Sequence, residues 1–437
     1  MKQRLSTMLV LMLALVMVVS ACGNNSKNGE SASPSSSASN GASQSPAKEP
    51  VEVTLAGWGS SPEEQALLQQ VLDEFQAKNP DVKVKYEVIA DQYMDVIKTR
   101  LIGNEAPDLF YLDAFEAPAL IEKDVLEPLD GYVTPEFDID DFEAPTINAF
   151  KSGDGKLYGL PKDTSTLALF YNKKMFADAG ITAPPTTWDE LMSVSEKLTK
   201  KNGKKVEVYG LGQAPELARQ MFMIKAFGGQ LSDEQGMATF ATPEAEKGLS
   251  LVIDQHTKAN TAGQPSDVGA GWGGEMFGQQ KAAMVIEGNW AIPYIQTNFK
   301  DVDFGTAEVP TVNGEKGTMA FTVAYVMNKN SKKKEAAWKL LSYLTGKEGM
   351  KTWTSKGFAL PTRKSVSAEL GYDKDALRGA LVAGSSYATP WQAGSTLPTI
   401  MNNFNNQFVA AYTGGSSLTD ALKKGQETAN KEIKAAQ

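Results

Sequence analysis

Histidine and cysteine are almost missing from this chain. One histidine, His256, and one cysteine, Cys22, occur in 437 residues, so His-based catalytic triads, Cys–His nucleophile pairs and His/Cys zinc clusters cannot be assembled from it, and no metal site or cofactor is expected. Basic residues are outnumbered: 43 Lys and Arg against 52 Asp and Glu leave a formal net charge of -9. No basic field is left to attract phosphate backbones, which excludes nucleic acid as a partner. Long apolar runs are scarce too, since Leu5 to Val19 is too short and wrongly flanked for a membrane span. No internal repeat is present. What remains is a chain with 42% hydrophobic residues, too long for one ordinary core and sufficient for two lobes.

The apolar run follows Lys2 and Arg4 and ends in Val19-Ser20-Ala21-Cys22-Gly23, which reads as a secretory signal with small residues before its cleavage site. The cysteine stands immediately after them, as in a bacterial lipobox. That likeness implies a signal peptide over residues 1–21 and a mature chain starting at Cys22, lipidated there. One acyl chain holds a protein only marginally, and two or more anchor it. Residues 22–50, rich in Ser, Asn, Ala, Gly and Pro, have no apolar period and cannot offset the entropy of ordering. They read as a flexible tether with a reach of about 30 Å. The expected location is the extracellular face of a bacterial cell membrane.

Order is expected from Val51. Val51, Val53 and Leu55 alternate as a strand, and Ser61-Pro62-Glu63-Glu64 supplies an N-cap, a first-turn proline and a capping-box glutamate for a helix with Leu67, Leu68, Val71, Leu72 and Phe75 on one face. A second strand over 82–88, a helix over 94–102 and a buried strand from Asp108 to Leu112, ending in Asp113, complete a βαβαβ run. Such a run builds a parallel sheet that meets ligands beyond the carboxyl ends of its strands. Trp58, Asp113 and Phe115 stand at such ends. Further on, Thr187-Trp188-Asp189-Glu190 is a capping box, Val206–Leu211 a strand, Pro215–Phe227 an amphipathic helix, and Thr242-Pro243 opens another helix. Thr318–Met327 is a strand, and Ser331 is expected to cap the helix after it. Between these halves, Gly155 to Asn172 carries a turn, Tyr158-Gly159-Leu160-Pro161, and the apolar strand Leu167–Tyr171. Gly159 and Pro161 bias the backbone to unusual and extended states, so Lys162–Thr166 reads as a hinge between two bodies.

The wording of several blocks resembles the family 1 extracellular solute-binding proteins, the maltose-binding-protein type that feeds ABC importers. They are Tyr158-Gly159-Leu160-Pro161 with the strand ending Phe170-Tyr171-Asn172-Lys173-Lys174, Lys281-Ala282-Ala283-Met284 to Gly288-Asn289-Trp290, the Ala336-Ala337-Trp338 helix, and Gly357 to Arg363. Gln279-Gln280-Lys281 departs from the family's usual Gly-Lys. The resemblance covers about residues 51–365. It implies an α/β, two-lobed periplasmic-binding-protein fold of class II type, with mixed sheets flanked by helices. The lobes would be 51–162 plus about 312–368, and 163–311 plus about 369–437. It also implies an oligosaccharide ligand, a monomeric receptor with no enzymatic activity, and membrane permease and ATPase partners.

Seven tryptophans need sorting, because rings that stack on sugar faces look in sequence like rings that fill cores. Trp188, Trp338 and Trp353 lie in helical patterns and are assigned to the core. Trp58, Trp272, Trp290 and Trp391 sit in Gly- or Pro-marked loops or at element starts, where binding residues are positioned. Trp290 also matches the family tryptophan that lines the sugar cleft. Asp113, the hinge stretch Lys162-Asp163-Thr164-Ser165 (with Asp163 and Ser165 as its ligand-binding candidates) and Glu287 supply the acceptors and donors a sugar needs. The same residue types also describe helix caps and ion pairs. Paired carboxylates facing a sugar would equally describe a glycoside hydrolase, and a surface glycan sensor or adhesin is the non-catalytic rival. Gly269, Gly271 and Gly274 spell a dinucleotide-binding pattern, but no strand precedes them, and nucleotide binding is set aside. His256 reads as a solvated or capping residue.

Overall fold

The computed structural model describes residues 49–436. The signal, Cys22 and the tether up to residue 48 lie outside the described residues. The first sheet opens with β1 (Val51–Trp58), where Val53, Leu55 and Ala56 are buried. Ser61 Oγ accepts the Glu64 N–H at 3.2 Å and Pro62 starts the helix Pro62–Lys78, whose Leu67, Leu68, Val71, Leu72 and Phe75 form the buried face that the spacing predicts. β2 (Val82–Ile89) and β3 (Leu109–Asp113) both run parallel to β1, with helix Tyr93–Ile102 between them. The remaining strands are β4 (Gly159–Thr166), β5 (Ala168–Asn172), β6 (Lys200–Asn202), β7 (Lys205–Gly212), β8 (Ala262–Gly263), β9 (Ala282–Glu287), β10 (Phe304–Ala307), β11 (Met319–Met327) and β12 (Thr389–Pro390).

Two mixed sheets result. One has the order β12-β11-β3-β1-β2 with β4 also on β11, and the other β10-β5-β9-β7-β6 with β8 on β7. Leu169 of β5 joins the core on one face of the second sheet while Ala168 and Phe170 join the core on the other. Burial on both faces is why this strand reads as an unbroken apolar run rather than an alternating one.

The hinge segment differs from its sequence reading. Lys162–Thr166 continues β4, paired antiparallel with β11, and the chain passes to the second sheet at Leu167. Pro161 has no N–H to give to the ladder. The register shifts beside it, so that Val323 pairs with Asp163 and Ala324 with Pro161, leaving Lys162 as the extra residue of a β-bulge. The chain returns to the first sheet between β10 and β11, passes to the second sheet's cores between helices Lys364–Leu370 and Gly379–Gly384, and touches the edge of the first sheet once more at β12 before helix Leu397–Tyr412 packs in the second sheet's core. Val366 packs in the first sheet's core and Leu381 in the second's.

Two end assignments also shift. Ser331 does not cap its helix, which starts at Lys334. Its hydroxyl is buried and donates to Asp108 Oδ1 at 2.7 Å, tying the turn to the first sheet. The helix expected over 215–227 is Leu217–Lys225.

Candidate functional site: a cleft walled by both sheets

The carboxyl ends of β1 and β3, the bulge of β4 and the starts of the two helices that flank β9, Gly273–Gly278 and Ala291–Asn298, line a cavity of about 480 Å³. Trp58, Asp113, Asp163 and Ser165 line it from the first sheet, and Trp272 and Trp290 from the second. The aromatic walls are held from behind. The Trp58 ring stands edge-on to Tyr93 (5.4 Å, 87°) and Tyr111 (5.1 Å, 80°). Two glycines make room for the rings opposite: a Cβ on Gly274 would fall 2.2 Å from the Trp272 ring and one on Gly288 would fall 2.4 Å from the Trp290 ring. Gly274, one glycine of the dinucleotide-like pattern, therefore serves ring placement. Trp290 Nε1 donates to Glu287 Oε2 at 3.1 Å, and Tyr294 packs on Trp272 at 4.8 Å.

The bulge explains the polar wall. It turns Lys162 inward, where Nζ pairs with Asp163 and sits 3.8 Å from the Trp353 ring centroid and 5.0 Å from that of Tyr111. Trp353 Nε1 donates to Asp163 Oδ2 at 2.8 Å. A tryptophan assigned to the core thus orients a cleft carboxylate without reaching the cleft. Ser165 Oγ accepts the Asn289 N–H at 3.1 Å, joining β4 to the loop before Trp290. Asn289 itself is fully buried, and its side-chain amide has no partner among the described residues. Burial, then the neighbouring Asp163 and Glu116, push the Asp113 carboxyl up to about 7 against the opposing pull of Lys162. Burial also raises Glu64, which Lys162 opposes.

Three expected site residues stand elsewhere. Glu287 is 2% exposed and is taken up by Arg219 Nη2 at 2.8 Å and by Trp290, so it steadies an aromatic wall rather than facing the cavity of Asp113. Trp391 is 4% exposed and packs between Phe115 (5.9 Å) and Phe321 (6.5 Å), in the second sheet's core. Its Pro-marked position signalled a loop, but its N–H bonds Ala320 O at 2.8 Å and draws the ring inward. Phe115 is half-buried against Trp391 and off the cavity wall.

Lys162 of the hinge stretch lines the cavity, as do Glu64, Tyr294 and Phe321, which were not singled out as binding residues. The capping-box pattern masked Glu64. Its N–H is bonded by Ser61, but its carboxylate turns to the cavity, and its place at a helix start beyond a parallel strand was the available signal. A second cavity of about 530 Å³ adjoins through Trp272, with Glu216, Arg219, Glu287 and Asn405 on its walls. Among the described residues no group of His, Cys, Asp and Glu could hold a metal ion, and no helix is long and apolar enough to cross a membrane.

Two lobes meeting at an aromatic and acidic cleft define a hinged solute receptor of the periplasmic-binding-protein fold. Residues 58–351 match the model of the bacterial extracellular solute-binding proteins, and the chain belongs to that family. A putative binding protein of Brucella abortus is 30% identical over 318 residues, covering 70% of this chain and 74% of the relative. The galactooligosaccharide-binding protein of Bacillus subtilis is 23% identical over 82% of this chain and 85% of its own. Among solved structures, an ABC substrate-binding protein of Listeria monocytogenes in complex with cycloalternan superposes with a TM-score of 0.80 at 25% identity, covering 88% of this chain and 99% of that one. The family consists of extracellular binding proteins rather than enzymes.

Proposed function

We propose that this chain is the carbohydrate receptor of an ABC importer, binding an oligosaccharide between its lobes and delivering it, unchanged, to a membrane permease and its ATPase. The observation that carries this reading is the pairing of aromatic rings from both sheets, Trp58 on one side and Trp272 and Trp290 on the other, around the carboxylates of Glu64, Asp113 and Asp163. Rings cover the apolar faces of pyranoses while carboxylates accept from their hydroxyls. The adjoining cavity beyond Trp272 gives room for more than one sugar unit. Relatives named for galactooligosaccharide and cycloalternan support the same ligand class.

In this reading Trp58, Asp113, Asp163, Ser165, Trp272 and Trp290 touch the ligand, Glu287 supports Trp290, and Phe115 and Trp391 stiffen the wall behind Phe321. The receptor works as a monomer, held to the membrane by lipid on Cys22. The lobes, centred on the two sheets, close about the passages between them. A ligand shifts an open–closed equilibrium only through its differential affinity, and contacts on both lobes supply it. Calorimetric titration of the full-length protein with a panel of oligosaccharides tests the function. Binding with a fall in radius of gyration by X-ray scattering, and recovery of intact sugar, is the expected result. Hydrolysis of the bound sugar would favour a glycosidase, and tight binding with no change in dimensions would favour a rigid surface lectin.

A further inference from the structure

We propose that the cleft sorts sugars by charge, taking a glycan that bears amino groups in preference to its neutral parent and rejecting one that bears carboxylate, sulfate or phosphate. The inference rests on the carbohydrate reading above. It follows from which cations and carboxylates on the cavity walls are already paired. Among the residues lining the two adjoining cavities there are two cations, Lys162 and Arg219. Lys162 is buried, flanked by the Trp353 and Tyr111 rings and paired with Asp163. Arg219 is held by Glu216 on one side and by Glu287 at 2.8 Å on the other. An anionic sugar that took Lys162 from Asp163, or Arg219 from Glu287, would leave a buried carboxylate unpaired, which costs more than a surface pair returns. Arg219 Nε, which has no partner among the described residues, is itself buried and closed to a ligand, and the partly exposed Glu216 adds a negative charge beside it.

The carboxylates are in the opposite condition. Glu64 and Asp113 both face the cavity, and among the described residues neither side-chain carboxylate is hydrogen-bonded to protein. The groups around Asp113 are Asp163 and Lys162 from β4, Glu116 just beyond its own strand, Tyr93 on the helix after β2, and Glu64 at the start of the helix after β1. Lys162 is engaged by Asp163, and Glu116 by Lys98 at 2.9 Å. The field at the cavity is therefore negative, consistent with an Asp113 carboxyl raised to about 7 by burial and its acidic neighbours. An ammonium group placed there gives the two free carboxylates the partner they lack. It also draws the Asp113 carboxyl back to the ionised form, so binding near pH 7 releases a proton.

The test uses maltotriose and cellotriose as they are, with each 6-hydroxyl replaced by an amine, and with each 6-carbon oxidised to a carboxylate, titrated calorimetrically into the full-length protein at pH 7 in two buffers of different ionisation enthalpy. Within the linkage that binds, the amine form should be about tenfold tighter than its parent and the carboxylate form about tenfold weaker, the scale of one opposite or like charge beside a carboxylate. Only the amine form should release protons, and its advantage should shrink as salt is raised. Asp113→Asn, checked for an unchanged fold by circular dichroism, should bring the amine-to-parent ratio towards one. A carboxylate form that binds as well as the parent, or an amine form that gains nothing, overturns the charge assignment and leaves the sugar receptor standing. If no form of either linkage binds, the charge assignment and the carbohydrate reading both fall for these glucans.

Discussion

Replacing Trp353 with phenylalanine looks conservative in sequence, since both rings are apolar and the residue is 4% exposed. The structure predicts otherwise. Phenylalanine keeps most of the buried ring but removes the Nε1–H that donates to Asp163 Oδ2 at 2.8 Å, and it offers Lys162 a weaker π face than the indole now 3.8 Å away. A hydrogen bond to a charged group contributes about 1.5–3 kcal/mol. A desolvated cation–π pair is worth about 2 kcal/mol, and exchanging indole for the weaker phenyl face forfeits part of it, roughly 0.5–1 kcal/mol. The expected destabilisation of the first lobe is therefore about 2–4 kcal/mol, read as a drop in the urea midpoint followed by tryptophan fluorescence and circular dichroism. Ligand affinity should fall as well, although residue 353 does not line the cleft, because Asp163 and Lys162 lose the group that orients them. A midpoint shifted by less than about 0.5 kcal/mol, the size of an ordinary surface change, together with unaltered affinity would refute the idea that Trp353 holds this wall.

Trp290→Ala should weaken sugar binding by roughly 1–3 kcal/mol, by analogy with aromatic stacking on bases, and calorimetry against thermal melting separates that loss from any loss of packing. The Asp113 carboxyl has a folded-state pKa near 7 against an ordinary 3.8, so the folded protein binds more protons than the unfolded chain between those values, and stability should fall as pH rises from about 4 to 7. Asp113→Asn should flatten that slope and stabilise the ligand-free protein at pH 8 on the order of 1–2 kcal/mol, after discounting for solvent at the half-buried group, measured by denaturation across pH. On the proposed anchoring by lipid at Cys22, Cys22→Ala should leave the globular part folded yet release it from membranes, seen by fractionation in high salt, and a variant still membrane-bound would refute that anchor.

The sequence by itself determined the local pieces. Period-2 and period-3.6 patterns with their caps set β1, the helix Pro62–Lys78 and the βαβαβ run, since each signal lies within a few residues and is independent of what packs above it. Scarcity of His and Cys removed whole classes of chemistry by counting. Glycine beside tryptophan, as at Gly288 and Trp290, was visible, though its reason was not: only the folded chain shows the ring lying where a Cβ would be. Tertiary structure decided what depends on partners far away in sequence. Whether Trp391 meets sugar or Phe321, whether Glu287 faces a ligand or Arg219, and whether Trp353 is inert or holds Asp163 are questions of contact between segments many residues apart. The hinge shows both contributions. Pro161 announced an interruption, but the pairing of β4 with β11 placed the bulge at Lys162, carried the strand on to Thr166, and put the passage from the first sheet to the second at Leu167.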